Sequence, residues 1–239
     1  MKVPRTSKGF TLIELLVVIG IIALLASIAV PAFTGVQIRA AQTKALSNAK
    51  QIGLACATFA IDNNGAYPSY VMQNGTQSAA TVTTSNDAFD SLFPTYLQTF
   101  SLFYLAKSQW TPTVQSDPSQ TTLQAGAPFL LTGYNEWAYV PGLYNTSSSS
   151  FPLIVDGFSG QGAGVDTYAT SETVKGGVWK GQQAIVVFCD DHAQVLKCNT
   201  SSGSPYVPAP TGYGITNMFD TSGGNAGWLS TANMVVNPK

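Results

Sequence analysis

The chain has 239 residues, of which 10% are charged and 11% aromatic, and its formal net charge is −1. That length suits one ordinary domain with or without an appendage. Near-neutral charge leaves no electrostatic footprint for nucleic acid, low charge with many aromatics excludes a disordered chain, and three cysteines fit no disulfide-dense scaffold.

The N-terminal segment is basic and then apolar. Lys2, Arg5 and Lys8 precede the first acid, Glu14. Phe10 to Val30 is 21 residues, about 31 Å as a helix and roughly one hydrocarbon core. The basic end is expected to stay cytoplasmic and the rest to cross outward. Without those three cations the side chains carry eight basic groups against twelve acidic ones. A secretory signal has a shorter apolar stretch, about 7–15 residues, followed by a small-residue cleavage site. Here Pro31, Phe33 and a continuing helical pattern follow instead. A plain membrane anchor accounts for the length but leaves Glu14 unexplained, because an acid inside a membrane segment normally has a partner.

The stretch KGFTLIE, Lys8 to Glu14, resembles the cleavage and methylation motif of type IV prepilins and type II secretion pseudopilins. The resemblance implies that a membrane peptidase cuts between Gly9 and Phe10 and N-methylates Phe10. Glu14 then becomes the fifth mature residue, the position at which the family's Glu pairs with the terminal amine of a neighbouring subunit. Pro31 falls where many pilins have a proline. The implied fold is α+β and pilin-like, with a long N-terminal helix packed against a β-sheet-containing head. The implied organisation is a leader over 1–9, an assembly half-helix over 10–31, an outer half-helix over 32–65 and a head over 66–239. The implied partners are other copies of the chain, other pilins, the prepilin peptidase, the inner-membrane assembly machinery, and membrane lipid before assembly; nucleic acid is not among them. The implied location is the bacterial inner membrane as a single pass with the head outside the cytoplasm, then a filament. A monomeric anchored protein whose head binds a ligand or sugar stands as the alternative.

From Ile38 onward the apolar or small residues Ile38, Ala41, Ala45, Ala49, Ile52, Cys56 and Phe59 form one helical stripe. Arg39, Thr43, Lys44, Asn48, Lys50 and Gln51 lie off it. Gly65 and Pro68 predict the helix end. Pro31 has no N–H for the Ser27 carbonyl, so a bend or a locally melted turn is expected there. NAKQIGLACATFAIDNNGAYP resembles the end of the long helix in Gram-negative pseudopilins and in a pilin-like family of planctomycetes and verrucomicrobia. Little of the remaining chain shares that likeness.

The head is long enough to bury a core. Ala88–Trp110 predicts one or two short helices with a break at Pro94, and Phe151–Phe158 is β-rich. Gln183–Cys198 predicts a hairpin: strand Ala184–Cys189, turn Asp190–His192, strand Ala193–Lys197. This stretch resembles the VVFADGHV segment of the same pilin-like family, with Asp191 where that family has Gly, a residue better suited to positive φ. Thr146–Ser150 and Thr200–Gly214 predict loops. Gly160–Gly164 lacks the lysine and helix of a phosphate loop.

His192, the one histidine, with Asp190 and Asp191 would suggest a metal or acid–base site. A metal normally takes more ligands than one short acidic turn supplies, and a triad needs a nucleophile that spacing does not reveal. Ordinary turn chemistry is therefore expected, with no catalysis and no cofactor. Calcium at Asp190 and Asp191 is implied only by the resemblance, since some pseudopilin heads bind it. In the expected hairpin Cys198 lies about 16 Å along the strand from Cys189, beyond the 7 Å reach of a disulfide. Three buried thiols are expected. A bridge from Cys56 would require the hairpin to pack on the long helix.

Overall fold

The computed structural model describes residues 9–73, 76–78, 81–112, 129–160, 166–221 and 228–239. It is α+β, with one long N-terminal helix, α1 (Leu12–Asp62), followed by short helices and antiparallel strands. The structure divides into two units, one ending at Ala41 and the other running from Gln42 to Lys239.

In the first unit α1 is apolar on all sides and exposed on all sides. Every large apolar side chain from Phe10 to Val30 faces outward. A helix that is hydrophobic all round lies in the core of something larger or in lipid. Among the described residues α1 is the one helix long and apolar enough to cross a membrane. The helix assignment continues through position 31 without a non-helical residue.

The second unit is built on the Gln42–Asp62 part of α1. Ala45, Ala49, Ile52, Cys56 and Phe59 from the predicted stripe are all buried, and Asn48, placed off the stripe, is buried as well. Arg39 and Thr43, with Lys44, Lys50 and Gln51, face solvent. The helix stops where Gly65 predicts, with a second residue sharing the work. Asn64 is left-handed at φ 55°, and the Gly65 N–H donates to the Ala60 carbonyl at 2.8 Å. That is a Schellman closure with Asn in the left-handed position.

The head sheet has four antiparallel strands in chain order: β3 (Trp137–Tyr139), β4 (Pro152–Asp156), β5 (Gln183–Phe188) and β6 (Ala193–Lys197). A small separate hairpin joins β1 (Val71–Gln73) to β2 (Thr76–Ser78). β4 and β5 are buried almost throughout, so their β-branched side chains fill both faces. Side chains alternate across a strand, which puts Gln183, Ile185 and Val187 on one face of β5. That face meets α1: Gln42 hydrogen-bonds Gln183, and Gly53 approaches Val187. The Ala88–Trp110 region forms helix α2 (Ser85–Phe89) with 3-10 turns at Asp90–Leu92 and Phe100–Phe103. Phe89 packs edge-on to Tyr139, 5.2 Å between ring centres. Near the C-terminus Val236 exchanges two backbone hydrogen bonds with Tyr139, at 2.9 and 3.0 Å.

At Gly53 a Cβ would sit 2.8 Å from Val187 Cγ1 and 2.8 Å from Asp191 Oδ1. Val187 is β-branched and stiff, so it has little room to give. Gly53→Leu is expected to lower head stability by about 2 kcal/mol or more through overpacking, read as a lower midpoint in thermal or denaturant unfolding. An unchanged midpoint would mean that the hairpin does not press on the helix there.

The core also holds carboxyl groups. Asp90 Oδ1 accepts the Leu130 N–H at 2.7 Å, and Asp156 Oδ1 accepts the Ile185 N–H at 2.7 Å. Burial outweighs these bonds and pushes both groups up to about 7. Burial, with Asp156 as a like-charged neighbour, pushes Glu136 well above the usual carboxylate range. An acid whose folded pKa is raised binds its proton more tightly in the folded state. Its stabilising effect is complete below the ordinary carboxylate value and lost as pH rises through the folded one. The unfolding midpoint is therefore expected to fall between about pH 4 and pH 7, and Asp156→Asn should flatten that slope.

Candidate functional site

Two places carry the residues singled out by sequence: the start of α1 and the β5–β6 turn. At the first, Gly9 and Phe10 precede the helix and are exposed. A Cβ on Gly9 would meet nothing within 4 Å. The fold itself therefore makes no demand for glycine at this position.

Thr11 and Glu14 bond reciprocally. Glu14 Oε2 accepts the Thr11 N–H at 2.8 Å and the Thr11 hydroxyl at 2.7 Å. The Glu14 N–H in turn donates to Thr11 Oγ1 at 3.3 Å. This is a capping box, T-x-x-E, written in the sequence as Thr11-Leu12-Ile13-Glu14. The T-x-x-E signature is legible in these four residues, although the membrane cost of Glu14 is the more conspicuous signal there. The box starts the helix and satisfies two orphan N–H groups that lipid could not.

The hairpin turn holds Asp190, Asp191 and His192. β5 ends at Phe188 rather than Cys189, so the loop is Cys189–Asp191. The Asp191 N–H donates to the Phe188 carbonyl at 3.0 Å, and Asp191 takes φ 62°. A three-residue loop of this kind wants a left-handed third residue, normally Gly. Asp191 fills it, as the comparison of that position with Gly anticipated. Its Oδ1 is buried beside Gly53 with no hydrogen-bond partner. Burial raises the Asp191 pKa, Lys50 opposes the shift and Asp190 adds to it.

Asp190 and His192 instead face solvent. Asp190 Oδ1 pairs with His192 Nδ1 and accepts the His192 N–H at 3.2 Å. Burial works against the ionised Asp190, but the bonds and charge from His192 win, so its pKa lies below the usual value. The imidazole stacks on Phe188 at 4.2 Å and 6°. Asp190 and Asp191 thus point to different surroundings, one out and one against the helix. Among the described residues no group of three or more His, Cys, Asp or Glu side chains is arranged to hold a metal ion. Cys56, Cys189 and Cys198 are free and buried. Burial drives the Cys189 and Cys198 thiols up to about 12 and Cys56 higher still, which suits inert core thiols.

Comparison with known proteins points to the first of these places. Residues 4–30 match the family model described as the prokaryotic N-terminal methylation motif. The chain is 46% identical over 56 residues to the type IV major pilin protein PilA of Myxococcus xanthus (strain DK1622), covering 23% of this chain and 25% of that one. The chain therefore matches about a quarter of that relative's length. No solved structure matches the chain. The N-terminal quarter of the chain, which begins the long helix, is thus similar to that of a type IV pilin.

Asp191→Gly is expected to raise the unfolding midpoint. It removes a non-Gly residue from the left-handed region, where the penalty is about 1–2 kcal/mol, and deletes an unpartnered buried oxygen. A lower midpoint would show that Asp191 makes a compensating contact with α1.

Proposed function

We propose that the chain is a filament subunit of the type IV pilus or type II secretion class. A prepilin peptidase hydrolyses the Gly9–Phe10 bond, and the new α-amine of Phe10 receives a methyl group from a methyl donor. The protein waits in the inner membrane with its head outside the cytoplasm. It then polymerises with its own copies and with other pilins. The reading rests on one observation: within a matched methylation motif, an acid sits at the head of a helix whose apolar surface is exposed on every side. Packing such helices together removes that surface from lipid, and Glu14 and the methylated amine of a neighbour then neutralise each other. The bland surroundings of Gly9 support a recognition role, since no contact of the fold calls for glycine there.

The capping box favours a second reading, an anchored monomer. It gives Glu14 a task within its own chain that needs no other copy. Glu14→Gln separates the two, because Gln also completes a capping box but carries no charge.

In cells carrying the assembly machinery, Gly9→Val should leave the leader attached, seen as an intact N-terminus by mass spectrometry. Glu14→Gln should be processed and inserted normally yet lose filaments by electron microscopy, since stranding one member of a buried ion pair costs about 3–5 kcal/mol. Wild-type filament levels in Glu14→Gln would leave the anchored monomer as the better account.

A further inference from the structure

The β6 edge of the head sheet carries a feature that polymerisation through α1 does not use. The β5–β6 register pairs Val187 with Ala193 and Gln183 with Lys197. The Phe188 N–H donates to the His192 carbonyl at 3.0 Å, and the Cys198 N–H to the Gln182 carbonyl at 3.0 Å. Hydrogen-bonded pairs alternate along an antiparallel ladder, so His192, Gln194, Leu196 and Cys198 bond inward to β5. The backbone groups of Ala193, Val195 and Lys197 point to the other side, where β6 is the last strand of the sheet.

Among the described residues the chain begins to cover that side and then stops. Asn199 and Tyr206 exchange two backbone hydrogen bonds, at 2.8 and 3.2 Å, on the side to which Ala193, Val195 and Lys197 point. One further step would set Pro208 opposite Lys197. Proline has no N–H to give the ladder. Pro208 bridges Asn217 instead, and Pro210 follows. Beside the uncovered strand lies a cavity of about 330 Å³. Phe188, His192 and Leu196 line it from the sheet, and Val207, Pro208 and Met218 from across the gap. Among the described residues its lining includes Lys197 and His192 but no acidic side chain.

We infer that the β6 edge and this cavity form a docking slot for an extended peptide strand with alternating acidic and apolar residues. The peptide backbone continues the ladder at Ala193 and Val195. Every second side chain enters the apolar cavity, and an acid meets the Lys197 ammonium. Strand addition of this kind draws affinity from main-chain bonds and selectivity from pockets for alternate side chains. The slot lies in the head and is independent of Glu14, so it stands or falls apart from the filament reading.

The test uses the full chain in detergent micelles and an acetylated, amidated Glu-Val-Glu-Val-Glu-Val peptide. Saturating peptide should slow amide hydrogen exchange at Ala193 and Val195. Binding should fall about two- to fivefold in Lys197→Gln, the range of an exposed ion pair, and should vanish for a peptide N-methylated at every second residue. Absence of protection at those two amides would overturn the proposal, as would equal binding of the N-methylated peptide or of a Lys-Val analogue. Protection that grows with protein concentration before any peptide is added would assign the slot to a second copy and overturn it as well.

Discussion

The head depends on one close approach: the β5–β6 hairpin lying against α1 at Gly53. Only a residue without a Cβ lets Val187 and Asp191 come that near the helix axis. On the same part of the helix Ile52, Cys56 and Phe59 are buried, and Phe59 packs edge-on to Tyr96 at 5.4 Å between ring centres. The approach at Gly53 also fixes the turn. Tyr67, just past the helix end, donates its hydroxyl to the Cys189 carbonyl at 2.7 Å, which ties the loop after α1 to the hairpin loop. Cys189 is thereby shut in while Asp190 and His192 remain outside.

That contact also separates the polar side chains of the acid- and histidine-bearing turn. Chemistry at Asp190, Asp191 and His192 would require their functional groups to converge. Positive φ at Asp191 turns its carboxyl toward the helix, and the contact between Asp190 Oδ1 and His192 Nδ1 keeps the other two on the solvent side. A left-handed residue reverses the local chain direction, so neighbours in sequence stop being neighbours in orientation. The turn supplies two structural devices, a cap on the hairpin and a wedge against α1.

Periodic signals were legible in the sequence, and signals from distant partners were not. The stripe from Ala45 to Phe59, the Gly65 stop, the hairpin and the positive φ at Asp191 all follow from local spacing and turn chemistry. The short strand β3 was missed because three residues, Trp137–Tyr139, show too little alternation to declare themselves. Helix α2 begins earlier than the apolar run near Ala88 suggests, since its start is set by Thr84, whose side chain and that of Asp87 form a capping box. The buried acids were also illegible. Nothing near Glu136 or Asp156 in the chain announces burial, which comes from Ser108 and Ile185, far off in sequence. Gly160–Gly164 falls mostly outside the described residues.

Glu14 shows how one residue can answer to two constraints. Within the chain the Glu14 carboxylate accepts the Thr11 N–H and Thr11 Oγ1 accepts the Glu14 N–H, so two backbone donors at the helix start are satisfied without solvent. Both hydrogen bonds that the carboxylate accepts from Thr11 use Oε2, and Oε1 takes no part in the capping box. A carboxylate accepts at both oxygens, so a cation can be added without dismantling the box. The cap holds the side chain in place beforehand, and less side-chain entropy is then lost when a charged partner arrives. Capping and pairing are therefore not rival roles in physical terms. Under the filament reading proposed above, an acid fixed at the helix start by its own Thr11 is a better registry device than a free one, because its position is set before a second chain meets it.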